Sequence, residues 1–358
     1  MYTTIRLQNF RSYEDATFEF GDGVNMVIGP NGSGKTNLLE SLYVSSYGSS
    51  FRVQDEHLIT HNKDWLQLSI TDSGGTERGL RIRKDPQTDR VTKEFQINGV
   101  NKRLAHTTRL PVVLFEPRDM QLLTGPPDQR RLFLDVLLTQ LSSSYERILS
   151  RYRRALAQRN RLLKDIYNHT IPLDHLFVWN VRLSELGAHL MNERQSLISQ
   201  INETASEVYS QLSHKKSKVQ LRYQTTVKGD VVTLASAFLH QLEINLHKDQ
   251  DRGYTSVGPH RDDLVVDLDG SPAHLNASRG ELRTLVVMLK IIEAHLLYTQ
   301  SERPPLLLFD DVFGELDATR RKALSEHLAP WQTVITTPEA EIQAGIPKSR
   351  LGRTIKLQ

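Results

Sequence analysis

Residues 29–36, GPNGSGKT, constrain the fold of this 358-residue chain more strongly than any other segment. They match the pattern G-x-x-x-x-G-K-[ST], with the apolar stretch NMVI before them and the helical stretch KTNLLESLYVSSY at their end. Glycines allow backbone N–H groups to converge on phosphate oxygens, and the positive end of the following helix adds to the attraction. The segment therefore predicts a nucleotide-binding loop between a strand and a helix of an α/β fold.

Each residue of this loop is predicted to contribute to binding of ATP. Lys35 should reach the β- and γ-phosphates and take part in catalysis, and the Thr36 hydroxyl should bind Mg²⁺. The expected ATP-binding residues of the loop are Gly29, Pro30, Asn31, Gly32, Ser33, Gly34, Lys35 and Thr36.

An apolar stretch that ends in two carboxylates, LLLFDD, occupies residues 306–311. Buried parallel strands present acidic residues at their carboxyl ends, where ligands of α/β sheets bind. We expect Asp310 to hold Mg²⁺ and Asp311, as a catalytic residue, to orient or deprotonate the attacking water. The alternative is a strand that ends in an acidic turn, and the phosphate-binding loop makes the catalytic interpretation the better one.

Residues 276–284, NASRGELRT, precede a long apolar helical stretch and allow two interpretations. Ser278 and Glu281 have the spacing of a capping box, which would serve only to begin the helix. The order of the motifs, with GELD at residues 314–317, resembles that of ATP-binding-cassette (ABC) ATPase heads. That resemblance implies that Ser278 and Gly280 bind the ATP held by a second subunit, and that Asp317 lies at the same dimer interface. The capping box is compatible with this role in the unliganded monomer.

Three further stretches narrow the resemblance to one family. The first hairpin, LQNFRSYEDATFEF, resembles that of the DNA-repair branch of cassette ATPases, and FEPRDMQLLTGPPDQRRLFLD and YTSVGPHRDDL are similar to two signature segments of the RecF family of bacterial recombination mediators. The resemblance implies an ATP-dependent homodimer that binds single-stranded, double-stranded and gapped DNA. It also implies that the protein works with RecR and RecO to load RecA during DNA repair and replication restart. Arg11 would approach the nucleotide, as in related heads, with a surface hairpin charge as the alternative.

The sequence departs from transport-type cassettes at three places. Glu116 follows PVVLF where those proteins place Gln, and Thr336 and Thr337 stand where they place His. Asp311 is one methylene shorter than the usual Glu, so that fewer groups would fix the attacking water. We therefore expect slow ATP hydrolysis.

The charge of the chain is close to balanced, but basic residues are clustered. The sequence has 45 Lys and Arg against 42 Asp and Glu, for a net charge of +3. Three stretches are locally basic: RILSRYRRALAQRNRLLKD, NKRLAHTTR and HKKSK. Each could be only a solvent-exposed surface, but three in one chain favour a polyanionic partner such as DNA. No apolar stretch has the length of a membrane span, the first residues do not form a signal peptide, and the absence of cysteine fits the cytoplasm.

The pattern of apolar residues divides the chain into three parts. Residues 1–116 and 254–358 alternate strand and helix signals, whereas residues 117–253 are rich in amphipathic helices. Apolar side chains recur at helical spacing through Leu149, Tyr152, Leu156 and Leu163, with Arg159 interrupting the stripe. We expect an α/β ABC-type ATPase head formed by both ends of the chain, with an inserted helical arm that is an antiparallel helix hairpin.

Three other functions remain open from sequence alone. The ATPase subunit of a membrane transporter would explain the cassette motifs but not the basic helical insertion or the missing Gln and His. A P-loop kinase would have no use for a Ser-x-Gly segment. A DNA-binding protein that uses ATP only as structural support would share the motifs but lack turnover.

Overall fold

The computed structural model of the chain describes residues 1–106, 108–168, 172–311, 318–328, 330–338 and 348–358. It divides into two compact units. The first, here called the head unit, comprises residues 1–120, 211–214 and 283–358, and the second, here called the helical unit, comprises residues 121–210 and 215–282. These boundaries differ from the predicted ones at 116 and 253, because residues 254–282 are grouped with the helical unit rather than with the head.

Within the described residues, the secondary structure is as follows. The strands are β1 (Tyr2–Phe10), β2 (Tyr13–Glu19), β3 (Val24–Ile28), β4 (Trp65–Asp72), β5 (Glu77–Lys84), β6 (Val91–Ile97), β7 (Val100–Lys102), β8 (Val112–Phe115), β9 (Val219–Gln224), β10 (Asp263–Leu268), β11 (Ser271–Pro272), β12 (Leu306–Asp310), β13 (Thr333–Thr337) and β14 (Leu351–Lys356). The helices are α1 (Lys35–Tyr47), α2 (Pro127–Leu141), α3 (Ser143–Tyr167), α4 (Phe177–Ser213), α5 (Leu234–Ile244), α6 (Leu246–Arg252), α7 (Ala273–Asn276), α8 (Arg279–Ser301) and α9 (Ala318–Leu328).

The head unit contains a six-stranded antiparallel sheet in the order β2-β1-β4-β5-β6-β7. Its strands alternate buried and exposed residues, as expected for a sheet with one face on a core, and Ile5, Leu7 and Leu68 are fully buried. The predicted hairpin at Asn98–Gly99 is confirmed: Asn98 and Gly99 have φ angles of 50° and 74°, the left-handed values that a two-residue hairpin turn requires.

A five-stranded sheet in the order β14-β3-β13-β12-β8 forms the second layer of the head unit. All of its pairings are parallel. Strands β8, β12 and β13 are buried along their whole lengths, so none of them alternates apolar and exposed polar residues. VVLF and LLLF are continuous apolar runs, whereas β13, TVITT, buries three threonines. Because β3 and β8 come from the first third of the chain and β12–β14 from the last, both ends build one sheet, as predicted.

The helical unit contains the predicted helix hairpin. The partners run antiparallel, since Arg159 of α3 contacts Asn180 of α4, and Tyr145 contacts Arg194 farther along. A three-stranded antiparallel sheet, β11-β10-β9, belongs to the same unit and accounts for the boundary near residue 282, because β10 pairs with β9. Across the part of the chain that the structure describes, no helix is long and apolar enough to cross a membrane.

Arg159, which interrupts the apolar stripe of α3, is fully buried and is not a solvated charge. Its Nη1 lies 2.8 Å from Asp249 Oδ2 and donates a second hydrogen bond of 2.7 Å to Thr255 Oγ1. Its Nε donates to Asn180 Oδ1 at 2.7 Å. A buried guanidinium requires such partners, so the interruption of the stripe marks an internal ion pair between α3 and α6, and a hydrogen bond joins the same guanidinium to α4.

Candidate nucleotide-binding site

The phosphate-binding loop lies between β3 and α1, as predicted, and its backbone has conformations that favour glycine. Gly32 and Gly34 have φ angles of 88° and 95°. At Gly34 a β-carbon would also lie only 2.7 Å from the hydroxyl of Tyr13, which donates a hydrogen bond of 3.1 Å to Gly34 O. The torsion angle therefore favours glycine at position 34, and a β-carbon there would also displace the Tyr13 hydroxyl.

Lys35 is buried, with 7% of its surface exposed, and its ammonium is directed back onto the loop. Nζ donates hydrogen bonds of 2.6 Å to Gly29 O and 2.8 Å to Pro30 O. Among the described residues no carboxylate pairs with it, so its charge is solvated by neutral carbonyl groups alone. A buried cation held in this way attracts an anion.

Ser33 adds a second feature that fits a phosphate group. Its Oγ is buried and, within the described ranges, has no hydrogen-bond partner. A buried hydroxyl without a partner is unfavourable, and a phosphate oxygen would accept its hydrogen bond. The loop thus offers donors and a cation together, which fits a polyphosphate.

The predicted Mg²⁺ ligands are in contact with each other. Thr36 Oγ1 lies 3.0 Å and 2.9 Å from the two carboxylate oxygens of Asp310. Thr336 Oγ1 donates to Asp310 Oδ1 at 2.7 Å, because Thr336 lies directly opposite Asp310 in the pairing of β13 with β12. This all-oxygen set fits Mg²⁺, which is commonly held by one or two carboxylates together with phosphate oxygens and water. Over the described residues no group of three or more His, Cys, Asp or Glu could hold a metal by itself.

Asp311 follows β12 and is exposed, unlike Asp310. Its φ of 53° is left-handed, which is uncommon for a residue with a side chain. Its N–H approaches Thr336 O at 3.2 Å and Thr336 Oγ1 at 3.0 Å, and these bonds hold the turn. Its role in orienting water stays a prediction, and Asp317 lies outside the described residues.

From sequence alone Glu116 is only a replacement for Gln, whereas the structure gives it a distinct environment. It follows β8, which pairs with β12, so it stands at the same sheet edge as Asp310. Burial raises the pKa of Glu116 to about 7; Arg118, 2.6 Å away, opposes the shift, and the charges of Asp119 and Asp310 add to it. Asp119 in turn accepts the Glu116 N–H at 2.9 Å and lies 3.6 Å from Lys290 of α8.

Arg11 is engaged in an ion pair. Its Nε and Nη2 lie 2.9 Å and 3.1 Å from the two oxygens of Glu40, a fully buried residue of α1, and Nη1 donates to His57 O at 3.0 Å. This arrangement joins the first hairpin to α1. Arg11 is therefore not a solvated surface charge. Its contact with the nucleotide stays a prediction.

The capping box at the start of α8 is present. Glu281 N donates to Ser278 Oγ at 3.3 Å, and Ser278 N and Oγ both donate to Glu281 Oε2 at 2.9 Å. These hydrogen bonds from Ser278 lower the pKa of Glu281, and Lys215 adds to the effect. Ser278 and Gly280 belong to the helical unit, whereas Lys35, Thr36 and Asp310 belong to the head unit.

The two segments that carry the family resemblance contact each other inside the helical unit. Arg130, from GPPDQRR, forms two hydrogen bonds of 2.7 Å and 2.8 Å with the carboxylate of Asp263, from GPHRDDL. Arg131 Nη1 donates to Asp262 O at 2.6 Å. The two segments therefore hold parts of the helical unit together, although 133 positions separate Arg130 from Asp263.

The chain is similar to known proteins over most of its length. The family model of the RecF/RecN/SMC N terminal domain matches residues 1–344. The chain is 33% identical over 345 residues to the DNA replication and repair protein RecF of Alkaliphilus oremlandii, covering 94% of this chain and 93% of the relative. It is 36% identical over 332 residues to the protein of the same name from Symbiobacterium thermophilum, covering 90% and 87%.

Solved structures agree with these relatives. The structure of the recombination mediator protein RecF-ATPrS in the RecFOR pathway has a TM-score of 0.86 and 26% identity, covering 97% of this chain and 94% of that one. The Smc head bound to the C-winged helix domain of ScpA has a TM-score of 0.52 and 14% identity, covering 98% and 96%, and shows the fold alone. The predicted ATPase-head fold with a helical insertion is confirmed. The chain therefore belongs to the RecF family, within the wider group of RecF, RecN and SMC N-terminal domains.

Proposed function

We propose that this chain binds ATP and Mg²⁺ at residues 29–36 and Asp310, and that it works as an ATP-dependent, DNA-binding homodimer in recombinational repair and replication restart. The observation that carries the proposal is the buried Lys35 ammonium, whose partners among the described residues are carbonyl oxygens alone, together with the contact between Thr36 and Asp310. An ATP-bound RecF structure supports it, with a TM-score of 0.85 and 26% identity. None of the relatives reported above is a transporter, and the transporter alternative is not favoured.

The side chains have separate tasks in this proposal. Lys35 leaves its carbonyl partners for the β- and γ-phosphates, the Ser33 hydroxyl donates to a phosphate oxygen, and Thr36 and Asp310 hold Mg²⁺. Mg²⁺, when bound, supplies positive charge against the phosphate oxygens. Asp311 orients the attacking water. Because Asp is shorter than Glu, we infer that hydrolysis is slow and serves as a switch.

The proposed site is completed by a second copy of the chain. Ser278 and Gly280, at the amino end of α8, would bind the γ-phosphate of the partner's ATP. The Ser278 N–H and hydroxyl already bind an anionic group in the monomer, the carboxylate of Glu281. This supports an anion-binding role for the position, since a phosphate would take the place of that carboxylate.

DNA is the proposed macromolecular partner. The solvent side of α3 carries exposed cationic side chains, among them Arg151, Arg154, Arg161 and Lys164. A row of this kind suits the regular phosphates of a nucleic acid backbone. Relatives are named DNA replication and repair proteins, and solved structures place RecF in the RecFOR pathway. We therefore include RecR, RecO and RecA loading in the proposal, and we place its action on gapped DNA in the bacterial cytoplasm.

The proposal is tested by replacing Lys35. Lys35→Met should reduce equilibrium binding of a fluorescent ATP analogue and should abolish ATP-dependent dimerisation in sedimentation, because the only buried cation of the loop is lost. Lys102→Met, at an exposed lysine of β7, is the matched control and should leave both properties unchanged. Unchanged ATP affinity in Lys35→Met would overturn the site.

A further inference from the structure

A cavity lies in the head unit, away from the phosphate-binding loop. It has a volume of about 320 Å³. Pro111, Leu306 and Gln332 line it, and these residues stand at the amino ends of β8, β12 and β13. The nucleotide-binding residues follow the carboxyl ends of the same sheet. The cavity is therefore at the opposite edge of the sheet and is not part of the ATP site.

The walls of this cavity are mainly apolar, and their polar groups are already engaged. Tyr2, Leu110 and three prolines form much of the lining. The Tyr2 hydroxyl shares a hydrogen bond of 2.8 Å with Ser46 Oγ. The side chain of Gln332 accepts from Tyr2 N at 2.7 Å and donates to Tyr2 O at 2.6 Å. These walls therefore offer apolar contact and little capacity for new hydrogen bonds.

Unused hydrogen-bonding capacity is concentrated on two arginines that line the cavity. Arg78 of β5 donates from Nη1 to Thr108 O at 2.7 Å, but its Nε is buried and has no acceptor among the described residues. Arg303 is exposed and, in the same ranges, its guanidinium makes no ion pair. Burial lowers the pKa of Arg78, and the positive charge of Arg303 adds to that shift. Two like charges thus share one apolar cavity.

Among the described residues, one carboxylate lines the cavity, and it is engaged in a turn. Asp72 Oδ1 accepts hydrogen bonds from Gly74 N at 2.9 Å and Thr76 N at 3.0 Å. It partly offsets the two guanidinium groups, so that a single negative charge on a ligand would balance the site. A dianionic phosphate would face both the Asp72 carboxylate and the apolar walls, which favours a monoanion.

We propose that this cavity binds a carboxylate carried on a small apolar body. The planar guanidinium groups of Arg78 and Arg303 would donate to the two carboxylate oxygens, which matches the geometry of such pairs. The volume is in the range of small-molecule sites, which combine apolar walls with a few directed polar groups. The carboxylate has two possible sources, a free small molecule or the C-terminal residue of a protein.

Methyl NMR of methionine tests the site directly, because Met1 lines the cavity and Met191 lies in the helical unit. 4-Fluorobenzoate should shift the Met1 signal and leave the Met191 signal in place. Neutral 4-fluorobenzamide, which has the same shape, should bind at least about tenfold more weakly, because it lacks the charge that the arginines pair with. Equal binding of the amide, or a Met1 signal that no carboxylate moves, would overturn the proposal.

Two variants and a control assign the binding to the arginines. Arg303→Gln removes an exposed side chain without a structural partner among the described residues, and Arg78→Gln removes the buried one. Each should weaken fluorobenzoate binding by about tenfold, whereas Arg83→Gln, at an exposed arginine of β5, should not. If both variants bind like the wild type, the proposal fails, and Arg303→Gln decides the matter even if Arg78→Gln does not fold.

Peptides distinguish the two sources of the carboxylate. A short peptide that ends in phenylalanine with a free carboxylate is compared with the same peptide amidated. Tighter binding of the free peptide than of fluorobenzoate would assign the site to a protein C-terminus, and weaker binding would assign it to a small molecule. Equal binding of the free and amidated peptides, together with equal binding of 4-fluorobenzoate and 4-fluorobenzamide, would exclude a carboxylate site.

Discussion

Thr36 Oγ1 lies 2.9 Å from Asp310 Oδ2, although 274 positions separate the two residues in the chain. The contact joins the first turn of α1 to the carboxyl end of β12. It brings the two proposed Mg²⁺ ligands together at one edge of the parallel sheet. The components of the proposed site can be tested one at a time.

The Thr36 hydroxyl should be required for Mg²⁺-dependent nucleotide binding. Thr36→Val keeps the shape of the side chain but removes the hydroxyl, whereas Thr36→Ser keeps the hydroxyl. We expect Mg²⁺-ATP affinity to fall by about tenfold or more in the valine variant, the usual cost of losing a bond to a charged group. The serine variant should stay close to wild type in titrations with and without Mg²⁺. Equal affinities for both variants would contradict a metal-binding role.

Ser278 should serve the ATP of the partner chain. Lys35→Met and Ser278→Arg should each be nearly inactive alone as ATPases. In a heterodimer, one site collects both substitutions and the other has an intact loop and an intact Ser278. Mixing equal amounts should therefore restore ATPase activity, provided that one ATP suffices to close the dimer.

The control for this mixture is crosslinking, which must show that heterodimers form. If Ser278 is only an N-cap, its loss costs about 1 kcal/mol of helix stability within its own chain. The mixture would then show no more than the mean of the two variants. Normal ATPase activity and ATP-dependent dimerisation of Ser278→Arg alone would exclude a role in trans.

Glu281 should oppose dimerisation, because its carboxylate occupies the Ser278 donors that the partner's phosphate would use. Glu281→Gln keeps an acceptor for the cap but removes the charge. We expect ATP-dependent dimerisation in sedimentation to strengthen by about fivefold, which corresponds to roughly 1 kcal/mol of charge repulsion. Dimerisation without ATP should not change. Weaker dimerisation in the glutamine variant would show that the carboxylate supports the interface.

The basic side of α3 should contribute to the salt dependence of DNA binding. Replacing Arg151, Arg154 and Arg161 with Gln removes three exposed charges. The slope of log affinity against log salt should decrease by about 0.9 for each phosphate contact that is lost. The control is Arg83→Gln with Arg90→Gln, which removes two exposed arginines of the head unit. A slope that changes only in the control would place DNA on another surface.

Stability should fall below neutral pH through His260. Its Nε2 lies 3.0 Å from Thr255 O, which can only accept, and its Nδ1 lies 2.7 Å from the Tyr152 hydroxyl, so the neutral ring satisfies both contacts. Burial lowers the pKa of His260 to about 4, and the charges of Arg261 and Arg131 also lower it.

The loss of stability at low pH follows from a difference in proton binding between the folded and unfolded chain. Between about pH 6.5 and pH 4 the unfolded chain binds a proton that the folded chain does not, so the free energy of unfolding falls as the pH falls. The loss should reach roughly 2–3 kcal/mol. Denaturant titrations of His260→Gln should lack this component, and His240→Gln, at an exposed histidine, should retain it. The raised pKa of Glu116 acts in the opposite direction over part of this range, so the test is the difference between wild type and His260→Gln. Parallel pH profiles of these two proteins would contradict the assignment.

The sequence predicts the nucleotide-binding loop well because its chemistry is local. Glycine torsion angles, the buried strand before the loop and the helix after it all depend on neighbouring residues, and the structure has this strand, loop and helix in the predicted order, with Gly34 at a left-handed φ. The capping box of Ser278 and Glu281 is local for the same reason. Asp310 could be predicted because buried parallel strands deliver carboxylates to one sheet edge.

Contacts between distant segments could not be predicted in this way. Thr336 bonds Asp310 only because β13 pairs with β12 in a particular register, and Glu116 joins the same edge through β8. Arg159 interrupts an apolar pattern, and nothing local shows that Asp249 balances its charge in the interior. The grouping of residues 254–282 with the helical unit follows from the pairing of β10 with β9, which the alternation of apolar residues does not specify.

The strand order of the parallel sheet also determines when the protein can become functional during its synthesis. β3 leads into the phosphate-binding loop, yet its two neighbours in the sheet, β13 and β14, begin at Thr333 and Leu351. At about 5–20 residues per second, a ribosome needs roughly 15–60 s to make the roughly 300 residues between them. Throughout that time both edges of β3 lack their native partners, and Asp310 is absent for most of it. A nascent chain that stalls before β13 can complete its antiparallel sheet but not a site for ATP.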